Sequence, residues 1–130
     1  MQALCETLDL ELPAEPESVA EARHAAARLA QLAGAHEADV KIAVSEAVGN
    51  AVLHAYRNGD PGPVTVNGSI RHGKLVFVIT DEGVGMSPNP DSPGLHLGIP
   101  LIGRVADDMR IEADRSGTRI SFSFPLSRRR

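Results

Sequence analysis

Glu46, Asn50 and His54 follow one another at four-residue steps, a spacing that stacks side chains along one line of an α-helix, one turn apart. A carboxylate, a carboxamide and an imidazole in that order could take a proton, hold a hard cation and touch an anion. The same line could also be the polar side of a helix that faces water. A second cluster, Asp81-Glu82-Gly83-Val84-Gly85-Met86, directly follows a strand-like run. An aspartate there accepts hydrogen bonds from a ligand's amine, and glycines without Cβ let that ligand approach the backbone; a plain turn at a strand end would use the same residues. Farther on, Gly94-Leu95-His96-Leu97-Gly98 leads into a helix-like segment, whose first N–H groups lack partners and suit an anion. Thr118 offers a hydroxyl after Gly117, and a β-prone threonine that simply begins a strand reads equally well.

The elements that must carry these residues can be read from spacing. Residues 37 to 56 place Val40, Val44, Ala47, Val48, Ala51, Val52 and Ala55 at three- and four-residue intervals, the stripe of a helix with one buried face. Glu37 and Asp39 put negative charge in its first turn, where the helix dipole favours it. Before it, Leu4, Thr7, Leu8, Leu10 and Leu12 alternate roughly up to Pro13, which reads as an edge strand. Pro16 and Ser18 introduce an alanine-rich helix over residues 19 to 32 that Gly34 stops. After a loop over residues 58 to 63, Val64, Val66, Gly68 and Ile70 alternate with polar residues. His72-Gly73 turns the chain, and Leu75, Phe77 and Ile79 continue the alternation, so a hairpin ending at Thr80 is expected. Residues 86 to 97 are too irregular for an element and read as a mobile loop, and long loops of this kind tend to be functional. A helix over residues 98 to 105 with Pro100 in its first turn follows, then strands over 109 to 113 and 118 to 124 joined at Ser116-Gly117. The order predicts an α+β fold, a two-layer sandwich with helices on one face of a mostly antiparallel mixed sheet.

Composition narrows the classes. The 130 residues suit one domain over 1–130, and 127–130 read as a flexible tail with solvated arginines. Apolar residues make up 42% and charged residues 23%, an ordinary globular balance. The formal charge of −4 argues against a direct nucleic-acid partner. The single cysteine, Cys5, has no zinc-ligand spacing around it and reads as a small buried thiol on a strand. With no apolar run long enough to span a membrane and no basic start for a leader, a cytoplasmic protein without membrane contact is expected.

Taken together, SEAVGNAVLHAY, DEGVGM, GLHLGIPLI and SGTRISFSF resemble the four nucleotide-binding boxes of the GHKL ATPases, the superfamily of gyrase, heat-shock chaperones and histidine kinases. The short form resembles the anti-sigma-factor serine/threonine kinases of bacteria. The resemblance implies ATP and Mg2+ as ligands, a sigma factor and an anti-anti-sigma antagonist as partners, a role in transcription regulation under stress, and a homodimer. It implies Glu46 as general base and Asn50 as magnesium ligand. His54 would touch phosphate or support Asn50. Asp81 would accept from the adenine amine, with Gly83, Gly85 and Met86 as the adjoining wall and Thr118 sharing the site through ordered water. Gly94, Leu95, His96, Leu97 and Gly98 would cradle the phosphates. His96 departs from the glycine common among relatives, and the loop has no lysine or arginine, which leaves charge neutralisation mostly to the metal. A non-catalytic ATP-binding module that sequesters a partner is the alternative. A histidine kinase fragment fits less well, because no phospho-acceptor helix pair precedes the domain.

Overall fold

The computed structural model describes residues 7–55, 62–83, 99–114 and 116–126. The elements run β1 (Leu8–Pro13), α1 (Pro16–Ala33), α2 (Glu37–Asn50), a π-helical turn (Ala51–Ala55), β2 (Pro63–Arg71), β3 (Lys74–Asp81), α3 (Ile99–Val105), β4 (Asp108–Asp114) and β5 (Gly117–Pro125). The five strands form one sheet in the order β1-β2-β3-β5-β4, and all four pairings are antiparallel. The expected two-layer α+β arrangement is therefore present, with no parallel pairing among the described strands.

Alternation decides which face is buried. Val64 and Val66 of β2, Leu75, Phe77 and Ile79 of β3, and Ile120, Phe122 and Phe124 of β5 all point into one core with α1 and α2. The three phenylalanines gather there, with ring centroids 5.9, 6.2 and 5.9 Å apart. From the helices come Ala22, Ala26, Leu29 and Ala30 of α1 and Val40, Val44, Ala47 and Val48 of α2. Alanines let α1 lie close to the sheet at the position where Gly68 of β2 carries no side chain. A Cβ on Gly68 would stand 2.8 Å from Leu29 Cδ2 and 2.9 Å from Phe77 Cε1.

The ends of the elements follow local chemistry. Pro16 opens α1, where a missing N–H is harmless. Ser18 does not cap the helix; it is buried and donates its hydroxyl to the Pro13 carbonyl at 2.6 Å. Gly34 ends α1 in the left-handed region at φ 84°, with the N–H groups of Gly34 and Ala35 both reaching the Ala30 carbonyl at 2.9 Å. His36 precedes α2, and its Nδ1 accepts from the Asp39 N–H at 3.4 Å. The β2–β3 turn places His72 at φ 52° and Gly73 at φ 78°, the paired positive values that suit strand twist. Lys74 then ties the hairpin to the start of β4 through Asp107 at 2.6 Å and Asp108 at 2.9 Å.

One expectation changes. The helix over residues 37 to 56 does not continue as a uniform α-helix, because α2 ends at Asn50 and Ala51 to Ala55 wind as a π turn. The Ala51 N–H still reaches the carbonyls of Ala47 and Val48, the i→i−4 and i→i−3 bonds of an α-helical end, and the i→i−5 winding belongs to the turn that follows. The uniform four-residue line through Glu46 and Asn50 therefore stops before His54. Among the described residues no helix is long and apolar enough to cross a membrane. Cys5 and the arginines at 128–130 lie outside the described residues.

Candidate functional site

The candidate residues sit at two element ends, the end of α2 and the end of the central strand β3. Asn50 is the last residue of α2 and is buried at 5% exposure. Asp81 is the last residue of β3 and is also 5% exposed. Its side chain continues the inward series Leu75, Phe77 and Ile79, so a carboxylate occupies the position where the alternation would place another apolar group. The sequence ends the strand at Thr80, whereas Asp81 lies within the ladder, opposite Val64 on one side and Thr118 on the other.

Backbone donors hold the Asp81 carboxylate. The Gly83 N–H donates to Oδ1 at 3.0 Å, and the Thr118 N–H also donates to the carboxylate. Burial pushes the Asp81 pKa above the usual carboxylate value, and the two N–H groups act in the opposite direction. Thr118 is itself buried at 4% exposure, and Gly83 is buried beside it. The chain thus brings Asp81, Gly83 and Thr118 together, from two boxes separated by more than thirty residues of sequence.

On the helix side, Glu46 is half-buried one turn before Asn50. The Nδ2 of Asn50 has no hydrogen-bond partner among the described residues, and neither does the buried Oγ of Ser45. A buried amide without a partner normally costs stability, so its retention fits a group that a ligand completes. Amide nitrogen and oxygen exchange places by a simple flip of the side chain. A single hard oxygen donor suits Mg2+, which takes few protein ligands and keeps waters and phosphate oxygens for the rest. Among the described residues no three His, Cys, Asp or Glu side chains gather as a metal cluster.

A cavity of about 430 Å3 opens at this end of the sheet, lined by Asp81, Glu82, Gly117, Thr118, Glu112 and Arg119 among others. Glu112 and Arg119 are a cross-strand pair on the face turned away from the helices. The cavity therefore wraps around the strand ends. Ser45, Gly117 and Arg119 lie within the quoted boxes, but sequence reasoning gave none of them a role at the site. Gly117 carried only a turn signal, and its contact with Asp81 depends on strand register.

Other expected site residues fall elsewhere. The backbone of His54 belongs to the π turn, but its side chain lies outside what the structure describes. Gly85, Met86, Gly94, Leu95, His96, Leu97 and Gly98 also lie outside the described residues. The helix expected after the loop is present as α3, with Pro100 as its second residue.

Comparison with known proteins adds a family to this geometry. Residues 12–124 match the histidine kinase-like ATPase domain. The serine-protein kinase RsbW of Listeria monocytogenes is 36% identical over 114 residues, covering 85% of this chain and 71% of that protein. The RsbW of Bacillus licheniformis is 29% identical, covering 100% of this chain and 92% of that protein. The anti-sigma F factor of Clostridium novyi is 32% identical over 94 residues, covering 63% of this chain and 66% of that protein. Among solved structures, the RsbU and RsbW domains of Rv1364c from Mycobacterium tuberculosis superpose with a TM-score of 0.74 at 22% identity, over 95% of this chain and 33% of that one. At that identity the likeness concerns the fold. The extent of the domain match and the identity to RsbW establish that the chain belongs to the histidine kinase-like ATPase domain family, within the group of the RsbW serine-protein kinases.

Proposed function

We propose that the chain is an ATP- and Mg2+-dependent protein serine/threonine kinase that binds a sigma factor and phosphorylates an anti-anti-sigma antagonist. The observation that carries this reading is the pair of buried polar side chains on facing layers, Asp81 at the end of β3 and Asn50 at the end of α2. A carboxylate fixed by two backbone N–H groups keeps acceptor capacity for a ligand's amine. The adenine amine fits it, and the carbonyl oxygen of guanine does not. Thr118 shares the purine end through ordered water, and Gly83, Gly85 and Met86 form the wall beside it.

At the phosphate end, Gly94, Leu95, His96, Leu97 and Gly98 offer backbone N–H groups, and His54 touches phosphate or supports Asn50. Asn50 would hold magnesium through its amide oxygen, and the metal would offset phosphate charge. Transfer forms a bond from the acceptor's hydroxyl oxygen to the γ-phosphorus and breaks the bond to ADP. Glu46 takes the proton of that hydroxyl. Such a base contributes roughly 100- to 10,000-fold, with positioning supplying the rest.

The names of the Listeria and Bacillus relatives as serine-protein kinases, and of the Clostridium relative as an anti-sigma F factor, support the choice of substrate and partner. A homodimer, a cytoplasmic location, a role in stress-linked transcription, and a single domain across residues 1–130 belong to the same reading. Incubation with radiolabelled ATP, magnesium and candidate antagonists should label a serine or threonine of the antagonist. Glu46→Ala should abolish the label while calorimetry still registers ATP. Labelling that survives Glu46→Ala contradicts the assigned base. ATP binding without any labelling, over the antagonists tried, favours a module that uses ATP only as a ligand.

A further inference from the structure

We propose that Gly117 is a positioning residue for purine selection, the residue without Cβ that lets the start of β5 lie against Asp81 and Glu82 and so fixes the Asp81 carboxylate between the N–H groups of Gly83 and Thr118. For its ligand the proposal rests on the nucleotide reading above; its geometry stands without it. Gly117 is buried and has φ 142°, a backbone region that side chains rarely adopt. A Cβ built on it would fall on the carbonyl oxygen of Asp81, and within 2.9 Å of both the Asp81 carbonyl carbon and the Glu82 Cα. These are backbone atoms, which cannot rotate away. Any L side chain must therefore push the end of β3 off the start of β5.

The displaced atoms are those that orient the carboxylate. Thr118, whose N–H donates to Asp81, is the residue after Gly117. Gly83, the other donor, follows directly on Glu82. Gly68 presents a different situation, because its missing Cβ is crowded by side-chain atoms of Leu29 and Phe77, and substitution there disturbs the core far from the carboxylate. Gly117 thus acts on the ligand through Asp81, which it positions.

The test compares the wild-type chain, Gly117→Ala, and a chain assembled by ligation with D-alanine at position 117, which favours positive φ and carries its methyl on the opposite side. ATP and GTP are titrated with magnesium by calorimetry, and hydrogen exchange is followed at the Gly83 and Thr118 amides. Gly117→Ala should weaken ATP at least about tenfold, bring the ATP-to-GTP ratio toward one, and lose protection at those two amides while the rest of the sheet keeps it. The D-alanine chain should bind ATP within about threefold of wild type, because it removes the collision. Unchanged ATP affinity and ratio in Gly117→Ala would overturn the proposal. Weakening of both nucleotides by the same factor would also overturn it, since that is what a purely structural role predicts. Should Gly117→Ala fail to fold, the D-alanine chain decides: near-wild-type affinity and protected amides support the positioning, and weak binding refutes it. If wild type binds neither nucleotide, the functional reading fails by itself. In that case loss or retention of amide protection in Gly117→Ala supports or overturns the geometric part.

Discussion

The backbone N–H of Gly83 donates to Oδ1 of Asp81 across 3.0 Å, two residues back along the chain. The bond turns the carboxylate toward its own backbone as the chain leaves β3, the short loop that aspartate side chains form readily. It also secures a buried acid whose folded pKa is raised by desolvation.

The sign of that shift gives a pH dependence. Between the unfolded pKa and the raised folded pKa, the native state holds more proton at Asp81 than the unfolded state, so stability falls as pH rises through this window. Asp81→Asn removes the titration. The stability of wild type relative to Asp81→Asn should therefore decline as pH rises from below 3.8, the ordinary aspartate value, through the folded pKa, and level off above it. Urea denaturation of both proteins across this range measures it, and a wild-type advantage that grows with pH would contradict the burial argument. ATP binding should be lost in Asp81→Asn at neutral pH.

Asn50 presents the same conflict between fold and ligand. Its Nδ2 is buried without a partner among the described residues, a situation that costs about 1–3 kcal/mol. Asn50→Leu should be at least as stable as wild type, and more stable by up to about 2 kcal/mol. Binding of ATP with magnesium should vanish in the same protein. Chemical denaturation and calorimetry on one preparation check both, and a loss of more than about 1 kcal/mol would mean that the amide is satisfied in the folded chain.

Two glycines should respond with opposite signs. Gly68→Ala places a methyl within 3 Å of Leu29 and Phe77, and the resulting overpacking should cost about 1–3 kcal/mol. Gly49 lies inside α2, and a Cβ there would meet nothing within 4 Å among the described residues. Gly49→Ala should stabilise the chain by about 0.5–1 kcal/mol. Thermal unfolding should rank the three proteins in the order Gly49→Ala, wild type, Gly68→Ala.

Gly34 closes α1 at φ 84°. Gly34→Ala forces a side chain into the left-handed region and should cost about 1 kcal/mol, with Gly34→Asn costing less because asparagine tolerates that conformation. Equal unfolding midpoints for Ala and Asn at this position would argue against the left-handed cap.

Much of the fold was legible because its signals are local. Pro16 and Gly34 bracket α1, alternating apolar residues mark β2, β3 and β5, and His72-Gly73 marks the hairpin turn. The candidate acid and amide, Asp81 and Asn50, were also legible by type and position. The π turn after Asn50 was not, because a change from i→i−4 to i→i−5 bonding is a small energetic difference that side-chain spacing does not record. The straight line from Glu46 through Asn50 to His54 was drawn from the ideal period and ends where that period ends.

By itself the sequence determined the helices, the strands, their inward faces and the chemical types available to a ligand, since these follow from the period of apolar residues and the backbone preferences of Gly and Pro. Only the tertiary structure decided which groups meet. The β3–β5 register sets Thr118 opposite Asp81 and brings Gly117 against the Asp81 carbonyl, and tertiary packing buries Asn50 with its Nδ2 unpaired among the described residues. The reason is physical: periodicity reports the side on which a residue lies, and register between distant strands reports which residue it faces.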